Sequence, residues 1–269
     1  MKYDPVKSRI GRIVNRRKWL RKLFYRLLDL LLLRTWHVKR AIRDFAAGRD
    51  GEAEILDAGS GFGQYSWRMW RMNRGWKVLG LDVKEEQVAD CNSFVAGTQA
   101  EGKVMFMTGD LTRYRDENRF DMILSVDVME HIEDDNSVFR NFYLSLLNNG
   151  ELIISTPSDR GGSDVQHEHE DSFIEEHVRD GYGVDEIEGK LRAAGFRDIR
   201  TRYTYGRPGK VSWKISMKWP VLMLNASMLF AVILPFYYIL AMPFALVLNM
   251  FDVRMRHSEG TGLLVRAKK

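Results

Sequence analysis

Between residues 54 and 157 the chain alternates short apolar runs with helical stretches, and that alternation leaves it few ways to fold. Strands are expected at 54–58, 77–81, 104–107, 122–126 and 151–155, and helices at 65–73, 85–97 and 136–147. Strand–helix repetition of this kind predicts an α/β fold, a parallel sheet covered by helices on both faces. Further on, a helix is expected at 183–194, stopped by Gly195, with strands at 197–205 and 263–266. The 269 residues, 45% hydrophobic and 29% charged, have the composition of a globular chain that can bury a core. Cys91 is the sole cysteine, so no internal disulfide is available, and mid-helix it reads as a small buried hydrophobe.

The first predicted strand runs into Asp57-Ala58-Gly59-Ser60-Gly61-Phe62-Gly63. Glycines at a strand-to-helix turn let backbone approach a ligand, and the helix beyond offers unpaired N–H groups. A dinucleotide fingerprint would place a glycine where Gln64 stands, which weakens a nicotinamide reading. Asp82 ends the second strand and Asp110 follows the third. Acids in these positions suit the hydroxyls of a ribose and the amino group of an adenine, although a strand-terminal Asp is also a common helix cap. Three successive acid-tipped strands favour a nucleoside site.

With these motifs the chain resembles the class I S-adenosylmethionine-dependent methyltransferases, in the subgroup acting on small molecules. The resemblance rests on EILDAGSGFG (54–63), LGLD (79–82), Gly109 to Leu111, FDMILSVDVMEHIED (120–134) and LLNNGELIISTP (147–157). It implies a Rossmann-like fold of seven strands, the last two forming an antiparallel pair; the uncharged stretch 219–251 would then be an apolar helical insertion between them. It implies S-adenosylmethionine as cofactor and S-adenosylhomocysteine as product. Asp57, Gly59, Gly61 and Gly63 would then shape the methionine pocket, Asp82 hold the ribose, Asp110 and Leu111 frame the adenine, and Ser125 and Val126 lie under the sulfonium. Amino-methylating enzymes for nucleic-acid bases carry Asn or Asp, two prolines and an aromatic where this chain has Asp-Val-Met-Glu-His (127–131), so base methylation is disfavoured. His131 is common there in the family and reads as structural.

Methyl transfer needs alignment and, for a protonated acceptor, a base. His167, His169 and His177 follow the fifth strand and are the candidates, with a metal site or a solvated lid as alternatives. No metal is expected.

Two features lie outside this frame. Residues 1–43 hold fourteen Lys/Arg against Asp4 and Asp29, a surplus of twelve positive charges in a chain whose net charge is only +5. Within them 6–45 reads as one basic amphipathic helix, with Leu20, Leu23, Phe24, Leu27, Leu28 and Leu31 at helical spacing. Residues 219–251 hold no charge and are broken by Pro220, Pro235 and Pro243. If the last strand joins the same sheet, this segment must leave and return on one side, and 33 residues are too few for two crossings at about 20 each. A hairpin dipping into one leaflet, interfacial helices or an oily lid are expected, with Lys210, Lys214, Lys218, Arg254 and Arg256 among head groups and Trp213, Trp219, Tyr237 and Tyr238 in an interfacial belt. A homo-oligomer interface is the alternative.

The expected organisation is a basic arm (1–45), a cofactor domain (46–210), an apolar insertion (211–256) and a last strand (257–269). The function expected is O-methylation of a hydroxyl or carboxyl on an amphipathic, lipid-like acceptor, at an anionic membrane surface on the cytoplasmic face. Nucleic-acid methylation and a non-catalytic membrane scaffold are the rivals.

Overall fold

The computed structural model describes residues 17–47, 49, 51–160 and 178–269. A seven-stranded sheet organises the chain, in the order β3-β2-β1-β4-β5-β7-β6. The strands are β1 (Glu54–Ala58), β2 (Lys77–Asp82), β3 (Val104–Thr108), β4 (Phe120–Val126), β5 (Leu146–Pro157), β6 (Arg197–Thr204) and β7 (Gly262–Lys268). The first five are parallel; β7 runs antiparallel between β5 and β6. The seven-stranded class I methyltransferase fold is therefore present.

Successive strand residues face opposite layers, as the period of two requires. Ile55, Val78, Met122 and Ile153 pack under α1 (Lys18–Leu31), α2 (Leu33–Ala46), α3 (Gln64–Met72) and α4 (Glu85–Val95). Leu56, Leu81, Ile123 and Ile154 pack under α5 (Asp135–Ser145) and α6 (Val184–Ala194). Each fully buried side chain of this size contributes about 1.5–3 kcal/mol.

The basic arm departs from expectation in one way. It is broken at Leu32, whose extended backbone (φ −88°, ψ 112°) separates α1 from α2. Leucine is a good helix former, so no residue there signals the break. The inner face of α1 is polar-tipped: Arg21 and Tyr25 are buried, while Trp19, Leu23, Leu27 and Leu30 stand exposed as a stripe. The guanidinium of Arg21 compensates its burial by donating to Tyr25 Oη (2.8 Å), Asp90 O (3.0 Å) and Phe62 O (2.9 Å).

Between β6 and β7 lies a helical hairpin. Its outgoing arm is α7 (Arg207–Trp213), a π-helical turn (Lys214–Lys218) and α8 (Trp219–Ala226); α9 (Leu234–Arg254) returns. Ser212 Oγ bonds to Asn249 Oδ1 (2.6 Å) and Ala245 O (3.1 Å), and the Tyr237 and Tyr238 hydroxyls donate to Ile215 O and Ser216 O, so the arms run antiparallel. Those two hydroxyls serve carbonyls of the π turn, a role the interfacial-belt expectation did not foresee. Because β6 runs parallel to β5, and Thr204 pairs with Gly262, both feet of the hairpin stand at the carboxyl edge of the sheet. Asp252, fully buried, anchors them: it accepts from Gly209 N (2.9 Å), Tyr205 N (3.2 Å) and His37 Nε2 (2.8 Å).

Candidate active site

The carboxyl ends of β1, β2 and β4 meet around the glycine turn. Gly59 N and Ser60 N donate to Leu81 O (2.8 and 3.0 Å), which ties the turn to β2. Gly59 has φ +77°, and a Cβ there would fall 2.2 Å from Val128 Cγ2. Gly63, at the N-cap of α3, is similarly walled in by Phe106. Gly61 differs: a Cβ would meet nothing nearer than Gln87 Oε1 at 4.0 Å, so its face is open for a ligand to approach the backbone.

Asp82, the last residue of β2, accepts from Gly61 N (2.8 Å) through Oδ2 and from Lys84 N (3.0 Å) through Oδ1. Each oxygen retains a lone pair, the inventory a ribose diol needs. Asp110 follows β3, exposed, with Oδ1 capturing Thr112 N (2.9 Å) and Thr112 Oγ1 (2.8 Å); Leu111 beside it is buried. Gly109 N donates to Asp82 O (3.0 Å), so the β2 and β3 tips adjoin. Asp57 lies inside β1, fully buried, accepting from Ser66 Oγ of α3. Burial pushes its carboxyl up to about 6, the Ser66 hydrogen bond opposes, and the nearby Asp82 carboxylate adds to the rise. Ser125 and Val126 close β4. The hydroxyls of Ser60 and Ser125 are buried without a hydrogen-bond partner among the described residues. Open backbone at Gly61, a strand-tip diol acceptor and two orphaned hydroxyls fit an adenosyl cofactor.

Helix α1 clamps this turn from outside. Arg21 and the Tyr25 hydroxyl both donate to Phe62 O, and Asp29 accepts from Gln64 Nε2 (2.9 Å) and pairs with Arg68. Gln64, which broke the dinucleotide pattern, is thereby explained: it reaches back to the arm.

Beyond β4 and β5 lies a cavity of about 430 Å³. Asp127, Ser155, Thr156 and Pro157 form its floor, and Thr204, Tyr205, Thr261 and Gly262 one side. Arg34 from α2, Arg160, and Lys210, Trp213 and Lys214 from the foot of the hairpin complete it. Among the described residues, four cations thus face one carboxylate, Asp127, which pairs with Arg34. Asp127 holds φ +51° at the β4 exit, where strained backbone aims a side chain into the site. Behind Thr156, the buried Glu130 accepts its hydroxyl (3.1 Å), and burial raises that carboxyl above its ordinary value.

Sequence reasoning put Lys210 and Lys214 among lipid head groups and Trp213 in an interfacial belt; in the structure all three line this cavity. Arg34 and Arg160 were missed altogether, because nothing local distinguishes them from other surface arginines. His167, His169 and His177 lie outside the described residues. Among the described residues no cluster of three or more metal-ligating side chains occurs.

Residues 49–191 match the family model described as a methyltransferase domain. Phosphoethanolamine N-methyltransferase 1 of Triticum aestivum is 30% identical over 157 residues, covering 58% of this chain and 30% of that protein. A ubiquinone biosynthesis O-methyltransferase of Pseudoalteromonas translucida is 33% identical over 102 residues, 35% of this chain and 41% of that one. The chain therefore spans about a third of the length of the wheat relatives it matches. Among solved structures, Haemonchus contortus phosphoethanolamine N-methyltransferase 2, bound to phosphomonomethylethanolamine and S-adenosylhomocysteine, superposes with a TM-score of 0.58 at 20% identity, over 87% of this chain and 52% of that one. An S-adenosylmethionine-dependent methyltransferase from Mesorhizobium loti gives 0.55 at 18% identity, over 88% and 100%. At such identities the likeness is one of fold.

Proposed function

The chain belongs to the methyltransferase-domain family, whose cofactor is S-adenosylmethionine, and on that premise we propose that it methylates a small amphipathic acceptor bearing an anionic group, at a membrane surface. The observation that carries the reading is the cationic cavity beyond the carboxyl ends of β4 and β5, at the hairpin foot.

Asp82 would hold the ribose, Asp110 and Leu111 the adenine, and the turn at Gly61 the methionine portion. The chemistry supplied by bound S-adenosylmethionine is an electrophilic methyl group with a neutral thioether as leaving group. The protein's task is then alignment. Arg160, Lys210 and Lys214 would fix the acceptor's anionic end by charge-assisted hydrogen bonds, and Trp213 would cover an apolar portion. The attacking atom is a hydroxyl or carboxyl oxygen: the carbon–sulfur bond breaks, a carbon–oxygen bond forms, and a hydroxyl proton passes to a base. His167, His169 and His177 remain our candidates for that base. Nitrogen methylation of a phosphorylated amine is the second reading, favoured by the wheat relatives.

The membrane reading is supported by the hairpin and α1. Leu229 is 80% exposed, Leu240 72% and Phe244 70%. Helix α9 is long and apolar enough to cross a bilayer by length and composition, but its foot returns to the same sheet edge, which suits insertion into one leaflet from the cytoplasmic face. The test is incubation of membrane and soluble extracts with the protein and isotopically labelled donor, followed by mass spectrometry. A labelled amphipathic anion in the membrane fraction is expected. Label only in RNA, or no calorimetric binding of S-adenosylhomocysteine, would refute the reading.

A further inference from the structure

A second and larger cavity, of about 710 Å³, lies outside the acceptor cavity and shares with the clamp on the glycine turn only Asp29 and Arg68. Arg26, Asp29 and Leu30 of α1, Trp36, Lys39, Arg40, Arg43 and Asp44 of α2, Arg68 and Arg71 of α3, and Val253 and Arg254 of α9 line it. Seven cations face two carboxylates. Both carboxylates are already engaged: Asp29 with Arg68, Lys39 (3.7 Å) and Gln64, and Asp44 with Arg266 (3.3 Å). Arg40 donates to Val253 O, tying the wall to the hairpin. Arg26, Arg43, Arg71 and Arg254 have no carboxylate within ion-pair distance among the described residues.

Cations gathered without counter-charge repel one another, and an anion entering between them removes that cost. The side chains register the crowding. Burial, and then Arg43, pushes Lys39 down to about 8; burial, and then Arg71, pushes Arg68 down to about 10.

Position narrows the anion. Leu30 belongs both to this cavity and to the exposed apolar stripe Trp19, Leu23, Leu27 and Leu30. Val253 and Arg254 belong to the base of α9, next to exposed Phe251. The cavity therefore sits where two exposed apolar elements adjoin. Guanidinium forks match phosphate oxygens in geometry as well as charge. We propose that this cavity binds the phosphate of an anionic phospholipid headgroup. The proposal rests on the membrane reading above and adds to it a defined lipid site.

The experiment is flotation of the full chain with phosphatidylcholine vesicles, with and without phosphatidylglycerol. Tighter binding to the anionic vesicles is expected of the unaltered protein. Arg43→Gln with Arg71→Gln should weaken anionic-vesicle binding about thirty-fold, the worth of two basic side chains at an anionic leaflet. Neutral-vesicle binding and S-adenosylhomocysteine affinity should stay unchanged. Arg140→Gln with Arg192→Gln removes the same charge from the opposite helical layer and should cost far less. Equal losses from both pairs would mean diffuse attraction and overturn the site. Failure to bind any vesicle would overturn the membrane reading itself, and with it this proposal. Calorimetric binding of glycerol phosphate that the Arg43/Arg71 pair abolishes, without vesicle discrimination, would mean a free-phosphate site. RNA retention lost in that pair, with vesicle binding intact, would assign the cavity to nucleic acid.

Discussion

The buried Asp57 carboxyl gives the cofactor turn a measurable pH signature. Its ordinary value is 3.8, and in the folded protein it titrates at about 6, chiefly because burial penalises the charged form. Between those values the folded state keeps a proton that the unfolded chain has released. Stability therefore falls as pH rises from about 4 to 6 and levels off above, the reverse of an ion-paired aspartate. The full penalty is about 3 kcal/mol at neutral pH, and about 2 kcal/mol of it accrues between pH 4.5 and 7.5. Asp57→Asn removes the titration while leaving an oxygen to accept from Ser66 Oγ. Urea unfolding of both proteins without cofactor, at pH 4.5 and 7.5, isolates the effect, since every other group cancels in the difference. The asparagine variant should gain about 2 kcal/mol relative to the parent over that range. A pH-independent difference would place Asp57 in a solvated environment. A gain toward low pH would mean a stabilised carboxylate, and either result would refute the burial argument.

Asp82→Ala removes the proposed ribose acceptor and frees Gly61 N, so calorimetric affinity for S-adenosylhomocysteine should fall at least a hundred-fold, about 3 kcal/mol; unchanged affinity would relocate the nucleoside site. Arg160→Gln with Lys210→Gln should raise the acceptor KM more than tenfold and leave S-adenosylhomocysteine binding intact; loss of both would mean that these cations shape the cofactor site instead. Asp252→Ala strands Gly209 N, Tyr205 N and His37 in a buried setting and should cost about 3–5 kcal/mol, read as a lowered unfolding midpoint with early proteolysis near the hairpin feet. A loss below about 1 kcal/mol would show that the hairpin docks through packing alone.

What the sequence disclosed tracks how local the physics is. The strands from β1 to β5 could be placed because a period of two and the intervening helices are written in consecutive residues, and Asp82 and Asp110 could be singled out because strand tips collect at one sheet edge, whereas Asp57 proves to lie buried inside β1. The break at Leu32 was invisible, since leucine prefers helix and only tertiary packing overrides it. The inner face of α1 was hidden for a related reason. The helical spacing marked an amphipathic face, but Arg21 is buried on the strength of Phe62 O and Asp90 O, partners at separations no periodicity can register. Deleting the arm would consequently remove the clamp on the glycine turn, so the membrane role we propose for it is tested by substitution, not truncation.

The placement of the hairpin follows from chain direction more than from its own sequence. Any insertion between β6 and β7 must leave from the carboxyl edge, because β6 parallels β5 and β7 returns beside it. Its feet therefore stand over the acceptor end of the sheet whatever its composition. An apolar hairpin at that edge carries its exposed leucines and phenylalanines outward, while Lys210 and Lys214 at its foot face the cavity. One inserted element thus delivers a hydrophobic approach and a cationic stop within a few helical turns. The amphipathic acceptor we propose would have the same polarity along its length, and one lacking either end would forfeit half of the proposed binding surface.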